Sequence, residues 1–142
     1  MKVAVIEPNS YTRTVSIVEQ AWDVLNKIVQ SDSACIFMFT NAGQFDNDCY
    51  AIVSQLKTQY PNIERHYFHG GCDYDVGYVS LMGERYDQTH FPTKGVVLPQ
   101  RVRTCTIVDM CDVLITCGGG AAVEYAKERK KHIIDLTVQQ SK

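Results

Sequence analysis

Cys111 to Leu136, CDVLITCGGGAAVEYAKERKKHIIDL, limits the folds open to this chain more than any other stretch. A short apolar run, Val113-Leu114-Ile115, stops at Gly118-Gly119-Gly120. A helical pattern carrying Glu124 follows at once, and a second apolar run, Ile133-Ile134-Asp135-Leu136, ends the stretch. Strand, glycine turn, helix and strand make a βαβ unit. The turn leaves backbone N–H groups free at a helix N-terminus, where the helix dipole also favours an anion. A phosphate-bearing ligand is the expectation.

The rest of the chain extends the alternation. Lys2–Ile6 is too apolar for a half-exposed strand, and Ser10 or Thr12 can cap a helix running to about Gln30. Val15, Val18, Trp22, Leu25 and Val29 recur at steps of three and four and predict its apolar stripe. Ala34–Thr40 is a continuous apolar run, as for a strand covered on both faces. Asn41-Ala42-Gly43 breaks it, and Asp46 is the expected N-cap of a second helix with Phe45, Cys49, Ile52, Val53 and Leu56 on its buried side. Tyr60-Pro61 ends that helix, Ile63–Phe68 is a third strand, and Arg101–Met110 a third helix. Residues 70–99, rich in glycine and aromatics (Tyr74, Tyr78, Tyr86, Phe91), show no sustained period and read as a long loop with room for a short helix in Val79–Tyr86.

These elements predict one α/β domain over residues 1–142. It is a Rossmann-like three-layer αβα sandwich around a five-stranded, mainly parallel sheet of order 3-2-1-4-5. The switch in strand order then falls between the first and fourth strands, where ligands bind beyond the carboxyl ends. Three distant loops, Glu7–Ser10, Asn41–Gln44 and Thr116–Gly120, converge there.

A net charge of −2 lacks the basic face that nucleic acid needs. No apolar run approaches the roughly 20 residues that cross a membrane, and no signal peptide is recognisable, so a cytoplasmic protein is expected. The six cysteines form no CxxC pair and are read as reduced thiols. His66 and His69 lie three apart on a strand and point to opposite faces, so they make no metal site with Cys72; neither metal nor cofactor is expected.

Candidate ligand residues follow from the convergence: Gly118, Gly119 and Gly120 for phosphate or ribose, with Asn9, Ser10, Asn41 and Gly43 at the strand ends. Arg101 and Arg103 open the third helix, and Arg103 is preferred as a fork of donors for phosphate. Glu124 can hold ribose hydroxyls, act at an anomeric carbon, or simply pair with surface lysines. The aromatics of residues 70–99 can form a lid or a subunit interface, and a homodimer is expected.

The segments FTNAGQFDNDCYAIVSQLKTQYPNI, ERYDQTHFP and RTCTIVDMCDVLITCGGGAAVEYAKERKKHIIDL resemble the SLOG superfamily. This Rossmann-like group includes the Lonely Guy phosphoribohydrolases and the DNA-processing Smf proteins, and the similarity is greatest to the bacterial YpsA/YoqJ-like branch. Lonely Guy enzymes carry an arginine shortly before a segment ending in Asp, then PGGxGTxxE; Arg103, Asp112, the glycines and Glu124 match these in turn. Thr116-Cys117 replaces the usual lead-in, and the signature's threonine is an alanine here. The resemblance implies binding of a nucleotide or ADP-ribose-like ligand, with phosphates on Gly118–Gly120 near Arg103 and ribose near Glu124. Its alternative is a hydrolase or transferase acting on an N-glycosidic bond, with Glu124 as the catalytic group. A third alternative is a protein-interaction module without a ligand.

Overall fold

In a computed structural model describing residues 1–70, 76–91 and 99–139, all strands run parallel. In chain order the elements are β1 (Lys2–Val5), α1 (Val15–Ser31), β2 (Ile36–Phe39), α2 (Gln44–Leu56), β3 (Glu64–Phe68) and α3 (Val76–Arg85). They continue with β4 (Gln88–His90), α4 (Gln100–Met110), β5 (Val113–Thr116), α5 (Ala121–Glu128), β6 (His132–Asp135) and a last turn, α6 (Leu136–Gln139). The sheet order is β4-β3-β2-β1-β5-β6. Val3 lies opposite both Phe37 and Val113, which fixes β1 as a central strand.

The period of two sorts the strand side chains into two cores. Val3, Val5, Phe37, Phe39, Tyr67 and Ile115 pack against α1, α2 and α3. Ala4, Ile6, Met38, Phe68 and Leu114 pack against Ile107 and Val108 of α4 and Ala126 of α5. Helices therefore cover both faces of a parallel sheet, giving the Rossmann-like αβα class. None of the described helices is long and apolar enough to cross a membrane.

Among the described residues the expected five strands are six. The sixth, β4, pairs with β3 at the edge through Tyr67↔Thr89 and lies inside the stretch read as a loop. Three residues (QTH) are too few to show an alternation, so tertiary pairing alone makes them a strand. The same stretch contributes α3, whose Met82 joins the core together with the following Tyr86. Gly71, Cys72, Tyr74 and Gly95 lie outside the described residues.

Helix α1 starts later than expected: Thr14, not Ser10 or Thr12, is its cap, accepting from the Ile17 amide at 3.1 Å. Its buried stripe is Ile17, Ala21, Leu25, Ile28 and Val29, while Val15 is 77% exposed. Of the expected stripe Val15, Val18, Trp22, Leu25 and Val29, only Leu25 and Val29 are buried, because contact with the sheet turns the face carrying Ile17, Ala21 and Ile28 inward. Asp46 is the third residue of α2 rather than its N-cap. Its carboxylate turns back to accept from the amides of Thr40 and Asn41, both at 3.2 Å.

His66 and His69 go to separate partners. His66 lies between Glu64 (2.7 Å) and His90 (2.9 Å), whereas Nδ1 of His69 lies 3.1 Å from the Tyr67 hydroxyl. Among the described residues no group of three His, Cys, Asp or Glu could hold a metal, and the cysteines Cys35, Cys49, Cys105, Cys111 and Cys117 are free.

Candidate functional site

The loops after β1, β2 and β5 meet beyond the carboxyl ends of the strands, at the point where strand order reverses. Short bonds hold them together. The Ile6 amide donates to Ile115 O at 2.9 Å, the Thr116 hydroxyl to Ile6 O at 3.1 Å, and the Asn9 amide to Gly119 O at 3.4 Å. From the β2 side, the amide of Asp46 donates to Glu7 Oε1 at 2.8 Å.

Between these loops and α4 lies a cavity of about 330 Å³. That is the low end of small-molecule sites, roughly 300–1,000 Å³. Glu7, Pro8 and Asn9 form one wall, with Ala42 beside them. Gly119, Gly120 and the first turn of α5 form another, and Gln100, Arg101 and Thr104 near the start of α4 close the third. Two helices thus present their N-terminal turns to one cavity.

The amides of Gln100 and Arg101, and of Ala121, Ala122 and Val123, belong to first helical turns, whose N–H groups lack the usual acceptor four residues back within the helix. The flanking residues, Pro99 before α4 and Gly120 before α5, provide no side-chain cap, unlike Thr14 at α1. The convergent N-termini and the Arg101 guanidinium make this side of the cavity electropositive. The N-terminus of α2 is different, because the chain's own Glu7 carboxylate already accepts from the Asp46 amide there.

Both acids respond to their surroundings. Burial raises the Glu7 carboxyl above its ordinary value, against the lowering effect of its bonds from the Asp46 and Phe45 amides. Burial pushes Asp46 up to about 7, with the Glu7 charge adding to it and the bonds from Thr40 and Ala42 opposing. The two carboxyl groups therefore titrate as neighbours.

The expected site residues divide sharply. Asn9, Gly119 and Gly120 line the cavity. Gly118 sits behind it, with its amide held by Asp135 Oδ1 at 3.1 Å. Gly43 lies beneath Glu7, and Asn41, with φ of 55°, packs toward Met82. Ser10 is exposed and outside the lining. The Arg103 guanidinium donates to Phe68 O (3.2 Å) and Thr40 O (3.4 Å) and to the Gln100 side chain. It ties α4 to the ends of β2 and β3, and Arg101 fronts the cavity instead. Glu124 faces solvent, two-thirds exposed and 3.1 Å from Lys127 Nζ, as in the surface-pair alternative.

Glu7, Gln100 and Thr104 line the cavity without standing out in the sequence. Helical phase could have linked the last two, since positions 100 and 104 share a face. Glu7 had a signal as well: it is the first charged residue after an apolar strand, at the carboxyl end where ligands bind in folds of this class.

The glycine turn gives a stability test. Gly120 has φ of +154°, and a Cβ there would lie 3.0 Å from Asn9 Oδ1. Gly120→Ala should cost about 1–3 kcal/mol in urea unfolding. Gly119→Ala should be close to neutral, since a Cβ at Gly119 meets nothing within 4 Å. Equal costs at the two positions would contradict this geometry.

No protein-family model matches the chain, and no curated protein matches it in sequence.

Proposed function

We propose that this chain is a SLOG-type binding domain for a mononucleotide-sized, phosphate-bearing ligand. The observation that carries the reading is the convergence of two N-terminal turns without side-chain caps, a glycine turn and Arg101 on one cavity at the strand switch. The phosphate sits against the first turns of α4 and α5, where amide dipoles and a guanidinium favour it without a metal. About 330 Å³ suits one nucleoside and one phosphate better than the two riboses of an ADP-ribose-like molecule.

Binding is favoured over cleavage of an N-glycosidic bond because Glu124, the acid of that alternative, faces solvent beside Lys127 rather than lining the cavity. Glu124→Gln should leave ligand affinity unchanged within a factor of about two, as for a surface pair worth a few tenths of a kcal/mol. Loss of affinity, or release of free base by the native protein and not by the variant, would restore the enzymatic reading.

The reading includes a homodimer, with the exposed Val102 and Met110 of α4 as apolar surface for the contact, and a cytoplasmic setting in keeping with the free thiols. Native mass spectrometry of protein purified from cells tests ligand and oligomer together. The expected spectrum is a dimer carrying a nucleotide-type mass. A monomer that neither carries such a mass nor acquires one from added nucleotides would sink the proposal.

A further inference from the structure

Glu7 lines the same cavity as the electropositive turns, and its carboxylate is held in place. Oε1 accepts from the Asp46 amide at 2.8 Å. A Cβ at position 43 would lie 2.8 Å from Glu7 Cδ and 3.0 and 3.1 Å from its oxygens. Gly43 has φ of 177°, extended backbone that any residue adopts, so only the close approach of Glu7 calls for a glycine there.

This arrangement is not the one that stability alone would select. Burial already raises the Glu7 carboxyl, and the Asp46 carboxyl lies beside it at the same helix end. A neutral side chain would satisfy the α2 amide at lower cost. An ionised carboxylate offers about four acceptor sites and no donor. The amides of α2 take up only part of that capacity, and Glu7 is part of the cavity lining. A ligand group meeting it must donate hydrogen bonds, and a second phosphate would be repelled.

We infer that Glu7 is the specificity residue of this crevice, accepting hydrogen bonds from vicinal hydroxyls and so selecting a phosphate monoester of a hydroxylated sugar. The inference rests on the ligand reading above and deepens it. The sugar lies between the anion-binding turns and Glu7, so its hydroxyls meet a fixed acceptor as its phosphate meets fixed donors. Asp46 is a positioning residue: its amide holds Glu7, and its carboxylate holds the β2–α2 loop.

The test is isothermal titration of the whole chain with the four common ribonucleoside 5′-monophosphates and with inorganic phosphate. The tightest-binding nucleotide is then compared with its 2′,3′-dideoxy analogue. Wild type should prefer the ribonucleotide by about tenfold or more, the worth of charge-assisted hydrogen bonds. Glu7→Gln should lose that preference while holding inorganic phosphate at least as tightly. Equal affinity of wild type for nucleotide and dideoxy analogue, with both lost in Gly119→Arg, overturns the inference and leaves the crevice reading standing. A preference that persists in Glu7→Gln also overturns it. If wild type binds none of these probes at millimolar concentration, both fall. The analogue comparison needs no variant, so it decides the matter even where Glu7→Gln fails to fold.

Discussion

Asp46→Ala should lower the free energy of unfolding by about 2–4 kcal/mol, a large loss for a single polar substitution. The side chain is fully buried, and its carboxylate is the acceptor for the amides of Thr40 and Asn41. Alanine leaves the buried Thr40 amide and the half-buried Asn41 amide without that acceptor and opens space beside Glu7. Asp46→Asn keeps an acceptor oxygen and separates geometry from charge.

The sign with pH follows from the raised carboxyl. Asp46 titrates near 7 when folded against an ordinary 3.8, so the folded protein holds a proton that the unfolded chain has released. Its favourable contribution is complete below about pH 4 and is lost as pH rises through 7. A tenfold difference in proton affinity between folded and unfolded chains is worth about 1.4 kcal/mol, so a few kcal/mol are at stake across this window. Glu7, also raised, acts in the same direction. His90, lowered by burial and by His66, acts in the opposite direction, between its folded value and 6.5. The difference between wild type and Asp46→Asn isolates Asp46. Urea midpoints from pH 4 to 8 should fall more steeply for wild type than for the variant, and parallel curves would refute the assignment.

Gly119→Arg should abolish ligand binding, by about 100-fold or more, with little change in stability. A Cβ at this position meets no atom within 4 Å, and its backbone is not among the positive-φ glycines. The residue is exposed and lines the cavity, so a long side chain has room to occupy the place of the ligand without straining the turn. The guanidinium also puts its own donors where the anion would lie, replacing rather than recruiting it. Titration with nucleoside monophosphates, beside a urea melt, reads both halves of the statement. Retained binding would move the ligand away from the glycine turn. Lost binding with lost stability would show only that the turn had broken.

Most of the architecture was legible in the sequence because the apolar runs are long and the breaks chemically sharp. VLIT followed by three glycines, and ACIFMFT followed by Asn-Ala-Gly, can only be buried strands ending in turns. Right-handed crossovers then fix which loops share an end of the sheet. The convergence of the loops after β1, β2 and β5 was therefore readable before any coordinates. Residues 70–99 were not, because β4 is three residues long and owes its existence to pairing with β3.

Within the site the limit was rotational. Sequence placed Arg101 and Arg103 on the same turn, and Gly118 to Gly120 on the same loop, but a turn has sides. Tertiary packing sent Arg103 to the carbonyls of Thr40 and Phe68 and left Arg101 at the cavity. It gave the Gly118 amide to Asp135, turned Glu124 toward Lys127, and tied Glu7 to the Asp46 amide 39 residues away. The sequence by itself determined the class of fold and the end of the sheet at which a ligand would bind, since both follow from local periodicity and chain breaks. Only the tertiary structure decided which side chains line the crevice there, because a side chain's direction depends on partners far away in the chain.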